Sequence, residues 1–193
     1  MPSPLRIPHA PLSDTDWNAL LPHLPASLRG RPCDLRARFD AIFRLAATDG
    51  PWRDLPEQYG KPDTISRHFR RMTHEGLWER LLKALAAAPE NHPLRNLLGP
   101  ICRAARRAIR LRGLALILLA RRLDLKRTLP GPPWMVADPD LSEILFAQIK
   151  PDNIPTTRSE FRPALVFFGL LRRTLAVTRG RRYIPRCLKA YWI

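Results

Sequence analysis

Arg67, Arg70 and Arg71, set among Thr64, Ser66 and His74, are the side chains of this chain best suited to chemistry, and that chemistry is recognition. A guanidinium reads guanine or grips phosphate through two parallel hydrogen bonds, and a serine or threonine near a helix N-terminus holds a phosphate oxygen. Two readings of the cluster stand at this level: a helix that enters a DNA groove, or an ordinary solvated face. Nothing comparable supports catalysis. His9, His23, His68, His74 and His92 show no ligand spacing, and Cys33, Cys102 and Cys187 lie far apart with no CxxC pattern. The cysteines read as reduced, partly buried thiols of a cytosolic protein. No catalytic, metal or cofactor residue is therefore expected.

The elements that must position the arginines follow from periodicity. Ile65, Phe69 and Met72 recur at i, i+4 and i+7, which predicts a helix over Thr64–Thr73 with its apolar stripe turned inward and Ser66, Arg67, Arg70 and Arg71 left outside. A turn at Lys61-Pro62-Asp63 precedes it, and a short supporting helix is expected over Asp54–Tyr59, completing a helix-turn-helix. Upstream, Ser13 with Asp16 makes a capping-box-like start to a helix carrying Trp17, Leu20, Leu21 and Leu24. A linker at Pro25–Pro32 leads to a second helix from about Asp34, with Leu35, Phe39, Ile42, Phe43 and Ala46 inward, stopped by Asp49-Gly50-Pro51. Gly76 then separates the arginine helix from an amphipathic helix over Leu77–Ala87. Trp17, Trp52 and Trp78 read as core anchors.

Beyond a boundary at Ala86–Pro93, helices are expected near 94–111, 114–127, 139–149, 161–178 and 183–191, with breaks at Pro130–Pro133 and Lys150–Thr157. No alternating strand pattern is present, so the fold class is all-α. The expected organisation is a loose arm over 1–12, a DNA-binding helical domain over 13–88 and a basic region of open fold over 91–193. The stripe Phe161, Ala164, Leu165, Phe168, Leu171 and Leu175 favours a folded second half, and a frameshifted remnant is the competing reading.

Charge points the same way as the arginine cluster. The chain of 193 residues has a formal charge of +16 and a pI near 11.3, a field that favours a polyanionic partner. Residues 1–90 carry 13 Lys/Arg against 11 Asp/Glu, whereas residues 91–193 carry 20 against 6, so bulk charge belongs to the second half. Arginine outnumbers lysine 28 to 5, which fits both bidentate phosphate pairing and a GC-rich gene. Arg103, Arg106, Arg107 and Arg110 repeat at three and four and define one basic helix face. Arg121, Arg122, Lys126 and Arg127 form a second cluster. The face is either a phosphate-tracking surface or a basic amphipathic surface without a specific partner. Arg179–Arg182 with Tyr183, Tyr191 and Trp192 adds basic and aromatic groups that either stack on bases or pack. The N-terminal stretch has no apolar run of secretory type, and the longest apolar stretch, Gly113–Ala120, is eight residues, far short of the roughly 20 that span a bilayer. A cytoplasmic, nucleoid-associated location without a membrane partner is expected.

The segments LSDTDWNALLPHLP, GRPCDLRARFDAIFRLAATDGPWRDLPEQYG and TISRHFRRMTHEGLWERLLKAL resemble, in order and spacing, the N-terminal domain of bacterial insertion-sequence transposases of the DDE type. The resemblance covers residues 13–87, with Trp52-Arg53-Asp54-Leu55-Pro56 as its most specific part. Met72 and Thr73 stand where that family usually has tryptophan, and Asp49 where cysteine is common. The resemblance implies a helix-turn-helix that binds the ends of a mobile element, so the partner is double-stranded DNA, with a second copy or a full-length transposase as further partners. It also implies a following ribonuclease-H-like domain whose two Asp and one Glu hold two Mg²⁺ ions for strand cleavage. Here residues 91–123 contain no Asp or Glu, and Asp124, Asp138, Asp140, Glu143, Asp152 and Glu160 lie among Pro-rich breaks. Asp138 and Asp140 read as a helix cap and dipole partner. A DNA-binding, transposase-related protein without strand-transfer activity is expected. The alternative is an active transposase whose Mg²⁺-dependent half is unrecognised or supplied by a partner.

Overall fold

The computed structural model describes residues 9–25, 34–48, 50–149, 155–181, 183–185, 187–188 and 192, and among them it contains eight α-helices and no strand. The fold is all-α, as the periodicities require. Residues 26–32 of the expected Pro25–Pro32 linker, residues 186 and 189–191 of the helix expected at 183–191, and most of the N-terminal arm lie outside the described residues. No described helix is long and apolar enough to cross a membrane. The chain divides into two compact units, Met1–Thr128 and Leu129–Ile193.

In the first unit, α1 (Asp14–Leu20) starts where the sequence says it should. The Ser13 hydroxyl accepts from the Asp16 backbone N–H at 3.1 Å, and Asp14 and Asp16 sit in the positive first turn. Proline at position 22 turns the chain into a 3₁₀ turn, Leu21–His23. Helix α2 (Leu35–Thr48) is started by the Asp34 carboxylate, which accepts from Ala37 N at 2.9 Å. It buries Phe39, Ile42, Phe43 and Ala46 as expected, and also Ala41, Leu45 and Ala47, because neighbours cover it on more than one side.

The supporting helix expected over Asp54–Tyr59 does not form. Two 3₁₀ turns, Trp52–Asp54 and Glu57–Tyr59, stand in its place. The cause is local. Pro56 lacks an N–H and pushes the preceding Leu55 into extended backbone (φ −67°, ψ 128°), so an α-helix cannot run through it. The helix that neighbours α3 (Pro62–His74) in sequence is therefore α2, across a connection much longer than the three or four residues of a helix-turn-helix. Gly60 (φ +84°) and Gly76 (φ +74°) take left-handed conformations on either side of α3, which an L side chain resists.

Helix α4 (Leu77–Ala87) turns Leu77, Trp78, Leu81, Leu82 and Leu85 fully inward. The Trp78 indole N–H donates to the Thr73 hydroxyl (2.9 Å), which donates in turn to the Phe69 carbonyl (2.8 Å), so the buried polar atoms at this corner are satisfied. A 3₁₀ turn, Pro93–Leu97, leads into α5 (Leu98–Arg112), and Gly113 separates that from α6 (Leu114–Arg122). Helix α5 packs on α2, α3, α4 and α6, burying Ile101, Cys102, Ala104, Ala105 and Ala108. The small side chains among them, Cys102 and the three alanines, allow close helix approach. Helix α5 thus closes the core that the preceding helices leave open, and the first compact unit runs to Thr128.

In the second unit, α7 (Pro139–Ala147) packs on α8 (Phe161–Thr178). Asp138 caps α7, its carboxylate accepting from Leu141 N at 3.1 Å, which is the cap role read from the sequence. Thr178 O accepts from Asp138 N (2.8 Å) and Met135 O from Arg181 N (2.8 Å), so the chain after α8 runs against the segment before α7. Gly180 (φ +70°) is required there, since a Cβ would lie 2.5 Å from the Ala137 nitrogen. Of the predicted α8 stripe only Leu171 is buried; Phe161 and Leu165 are exposed.

Candidate nucleic-acid interface

Helix α3 is held from within by Ile65, Phe69 and Met72, each no more than 3% exposed. Phe69 lies between two tryptophans, with ring centroids 5.2 Å from Trp52 and 5.4 Å from Trp78. At about 100° per residue, the opposite face belongs to Asp63, Arg67, Arg70 and His74, all exposed. Thr64 is exposed on the flank toward α2, and Arg71 on that flank is half-buried. Ser66 departs from expectation: it is buried, because at about 100° per residue its position falls about 20° from that of the fully buried Thr73.

The flank holds an arrangement that spacing along α3 could not reveal. His68 is buried, and its Nδ1 faces Arg71 Nη2 at 3.3 Å and Arg38 Nη1, from α2, at 3.5 Å. A guanidinium only donates, so Nδ1 accepts and the ring carries its proton on Nε2 as a neutral imidazole. Arg38, Thr64, Arg67, His68 and Arg71 line a cleft of about 310 Å³. Arg38 and Thr64 also border a second cleft of about 400 Å³ that continues past Lys61, Gly60 and Tyr59 to Asp34. Arg71 further approaches Glu75, Nε to carboxylate 3.9 Å. Arg38 is the residue sequence reasoning missed. Thirty positions separate it from His68, and only the packing of α2 on α3 joins them.

The four-arginine face expected on α5 is divided by the fold. Arg107 lies over the Trp52 ring, its guanidinium carbon 4.5 Å from the centroid, and donates to the Gly50 carbonyl at 2.8 Å. Arg106 donates to the Arg127 carbonyl. Arg103 is half-buried, and burial works against its charge, with the Arg127 charge adding to the effect. Arg110 alone of the four is exposed. Arg112, beyond them, pairs with Glu79 at 2.7 Å. In the second basic cluster Arg122, Lys126 and Arg127 are exposed, and Lys126 pairs with Asp124 at 3.0 Å.

The remaining chemistry-bearing groups have structural surroundings. Burial pushes the Cys102 thiol pKa up, away from thiolate reactivity. His92 Nδ1 accepts from Leu94 N at 3.1 Å and starts a 3₁₀ turn. Glu160 accepts backbone hydrogen bonds from Thr156 and Thr157, which hold its carboxyl below the usual range. Among the described residues no group of three or more His, Cys, Asp or Glu is placed to hold a metal ion.

Fold and site together define an all-α protein whose N-terminal unit sets an arginine-bearing helix against a core braced by aromatic residues. Residues 12–82 match the family described as "Putative transposase of IS4/5 family (DUF4096)", so the segment that resembles a transposase N-terminal domain carries that family's signature. The chain is also similar to the uncharacterized protein y4sN of Sinorhizobium fredii (strain NBRC 101917 / NGR234), with 30% identity over 78 residues. That alignment covers 39% of this chain and 62% of the relative, so the match spans less than two thirds of the relative's length. No solved structure matches the chain.

Proposed function

We propose that the first unit is a DNA-binding module that recognises the ends of an insertion element, with α3 as the helix presented to the duplex. The observation that carries this reading is the division of α3 into two faces. Ile65, Phe69 and Met72 fix its inner side, while Arg67, Arg70 and His74 stand outward with Thr64 and Arg71 beside them. A helix with this outer face fits a major groove, where an arginine can bridge guanine O6 and N7. The match of residues 12–82 to an IS4/5 transposase family supports DNA as the polyanion. Exposed Arg110, Arg122, Lys126 and Arg127, together with the excess charge of residues 91–193, add a sequence-independent attraction that falls with salt.

Fluorescence anisotropy with the full chain tests this, using duplexes that carry candidate element ends and scrambled duplexes of equal length over a salt series. The reading requires a preference for the element ends that persists as salt rises. Arg67→Gln or Arg70→Gln should erase that preference at a cost of about 1–3 kcal/mol per lost base contact. Equal affinity for both duplexes, with a steep salt slope unchanged by either substitution, would leave charge as the whole explanation.

A further inference from the structure

We infer that the cleft between α2 and α3 is an anion site that takes one backbone phosphate of the bound nucleic acid, a deepening that rests on the DNA-binding reading above. Three guanidiniums, Arg38, Arg67 and Arg71, line this cleft with the Thr64 hydroxyl, and no carboxylate is among the lining residues. The acceptors on its walls are the Thr64 hydroxyl and the Nδ1 lone pair of His68, toward which two of the guanidiniums already point. Each guanidinium has five N–H donors, so the cleft is rich in donors and poor in acceptors. It also gathers three positive charges, of which Glu75, 3.9 Å from Arg71, offsets one. A tetrahedral oxyanion reverses both conditions: its oxygens accept from several guanidinium forks at once, and its charge offsets theirs.

Position decides which anion. The cleft lies on the flank of α3, with Arg67 at its edge and Arg70 and His74 on the outward face beyond it. When a helix lies in a groove its outward face meets base edges and its flanks meet the sugar–phosphate walls. A phosphodiester in the wall is therefore the group that reaches Arg38, while the outward face reads bases. His68 acts as a positioning residue: neutral and buried, it draws the Arg38 and Arg71 forks together without adding a charge.

Two measurements on the full chain test the site and separate it from the DNA-binding reading. In the first, inorganic phosphate replaces chloride at matched ionic strength during thermal unfolding of the wild type and of Arg38→Gln. A tenfold excess of phosphate over its Kd should raise the wild-type Tm by about 3–6 °C, and Arg38→Gln should lose most of that rise. NMR of arginine Nε–H groups on the wild type maps the same event onto Arg38, Arg67 and Arg71 and does not depend on the variant folding. In the second, the salt slope of DNA binding should fall by about one in Arg38→Gln, with the preference for element ends kept, and Arg38→Lys should restore the slope but not the full affinity. If phosphate shifts none of the three arginines, or the slope and affinity of Arg38→Gln equal those of wild type on a duplex the protein binds, the phosphate site is wrong and the DNA-binding reading stands. If phosphate binds at the three arginines but no duplex binds, the site is a free-anion site and the DNA reading fails.

Discussion

Replacing Arg107 with methionine separates a bracing role from a DNA-contacting one. By spacing alone Arg107 belongs to a basic face with Arg103, Arg106 and Arg110, and such a residue would contribute to phosphate binding and little to stability. The structure gives it a different setting, 4.5 Å over the Trp52 ring and 2.8 Å from the buried Gly50 carbonyl. Methionine keeps an apolar stem of similar reach and removes the planar cation. A desolvated cation–π contact is worth up to about 2 kcal/mol, and a hydrogen bond from a charged donor about 1.5–3 kcal/mol, so a loss of roughly 2–4 kcal/mol is expected once the retained stem contacts are allowed for. At roughly 2–4 °C per kcal/mol for a chain of this size, Tm should fall by about 4–16 °C. Arg110→Met, at an exposed position on the same helix, should change stability by no more than about 0.5 kcal/mol while lowering the salt slope of DNA binding. Thermal unfolding by circular dichroism and anisotropy at a temperature where both variants are folded supply the two readouts. If Arg107→Met melts with the wild type and loses affinity as Arg110→Met does, Arg107 is a phosphate contact and the bracing argument is refuted.

Thr73→Val should destabilise the protein by about 1–3 kcal/mol, because it strips the buried Trp78 N–H of its acceptor. Thr73→Ser should recover most of that loss, and equal urea midpoints for valine and serine would contradict the hydrogen-bond account. A chain truncated after residue 90 should lack a cooperative melt, since it removes Ile101, Cys102, Ala104, Ala105 and Ala108 from the shared core, whereas one truncated after Thr128 should retain it. Amide exchange on the two truncated chains checks this. Burial holds the His9 and His23 pKa values below 6.5. The unfolded chain therefore binds more protons just under that pH, and stability is lost as pH falls below about 6.5. Replacing both with glutamine should flatten the urea midpoint between pH 7.5 and 5, and an unchanged slope would assign the acid sensitivity elsewhere.

What the sequence could disclose was local. The Ser13 cap, the Asp138 cap, the inward stripe of α3 and the limits of α8 depend on residues within a turn or two of each other, and each formed where its pattern placed it. The 3₁₀ turns at Trp52–Asp54 and Glu57–Tyr59 were written in Pro51 and Pro56, a signal that the helix-turn-helix expectation outweighed. The site was less legible, because exposure is a property of neighbours. Helix α5 meets other helices on several sides, so three of its four evenly spaced arginines turn to tertiary partners or partial burial. Arg38 enters the cleft only through packing across thirty residues of sequence, which no periodicity encodes.

The tryptophan of the Trp52-Arg53-Asp54 signature connects these observations. It lies in the connection between α2 and α3, with the Phe69 ring of α3 on it at 5.2 Å and the Arg107 guanidinium of α5 at 4.5 Å. The family match ends at residue 82, within α4, so one of the two groups that grip this tryptophan comes from outside the matched segment. The pitch of α3, and with it the direction of Arg67 and Arg70, is then set partly by a helix that need not touch DNA itself. Loss of binding through Arg107 or Trp52 should therefore always accompany loss of stability. Loss of binding through Arg67 or Arg70, whose side chains project into solvent, should occur with stability unchanged. A double substitution that joins Arg107→Met to Arg67→Gln should give less than additive losses in binding free energy at a temperature where both variants are folded, since the first already misdirects the side chain that the second removes.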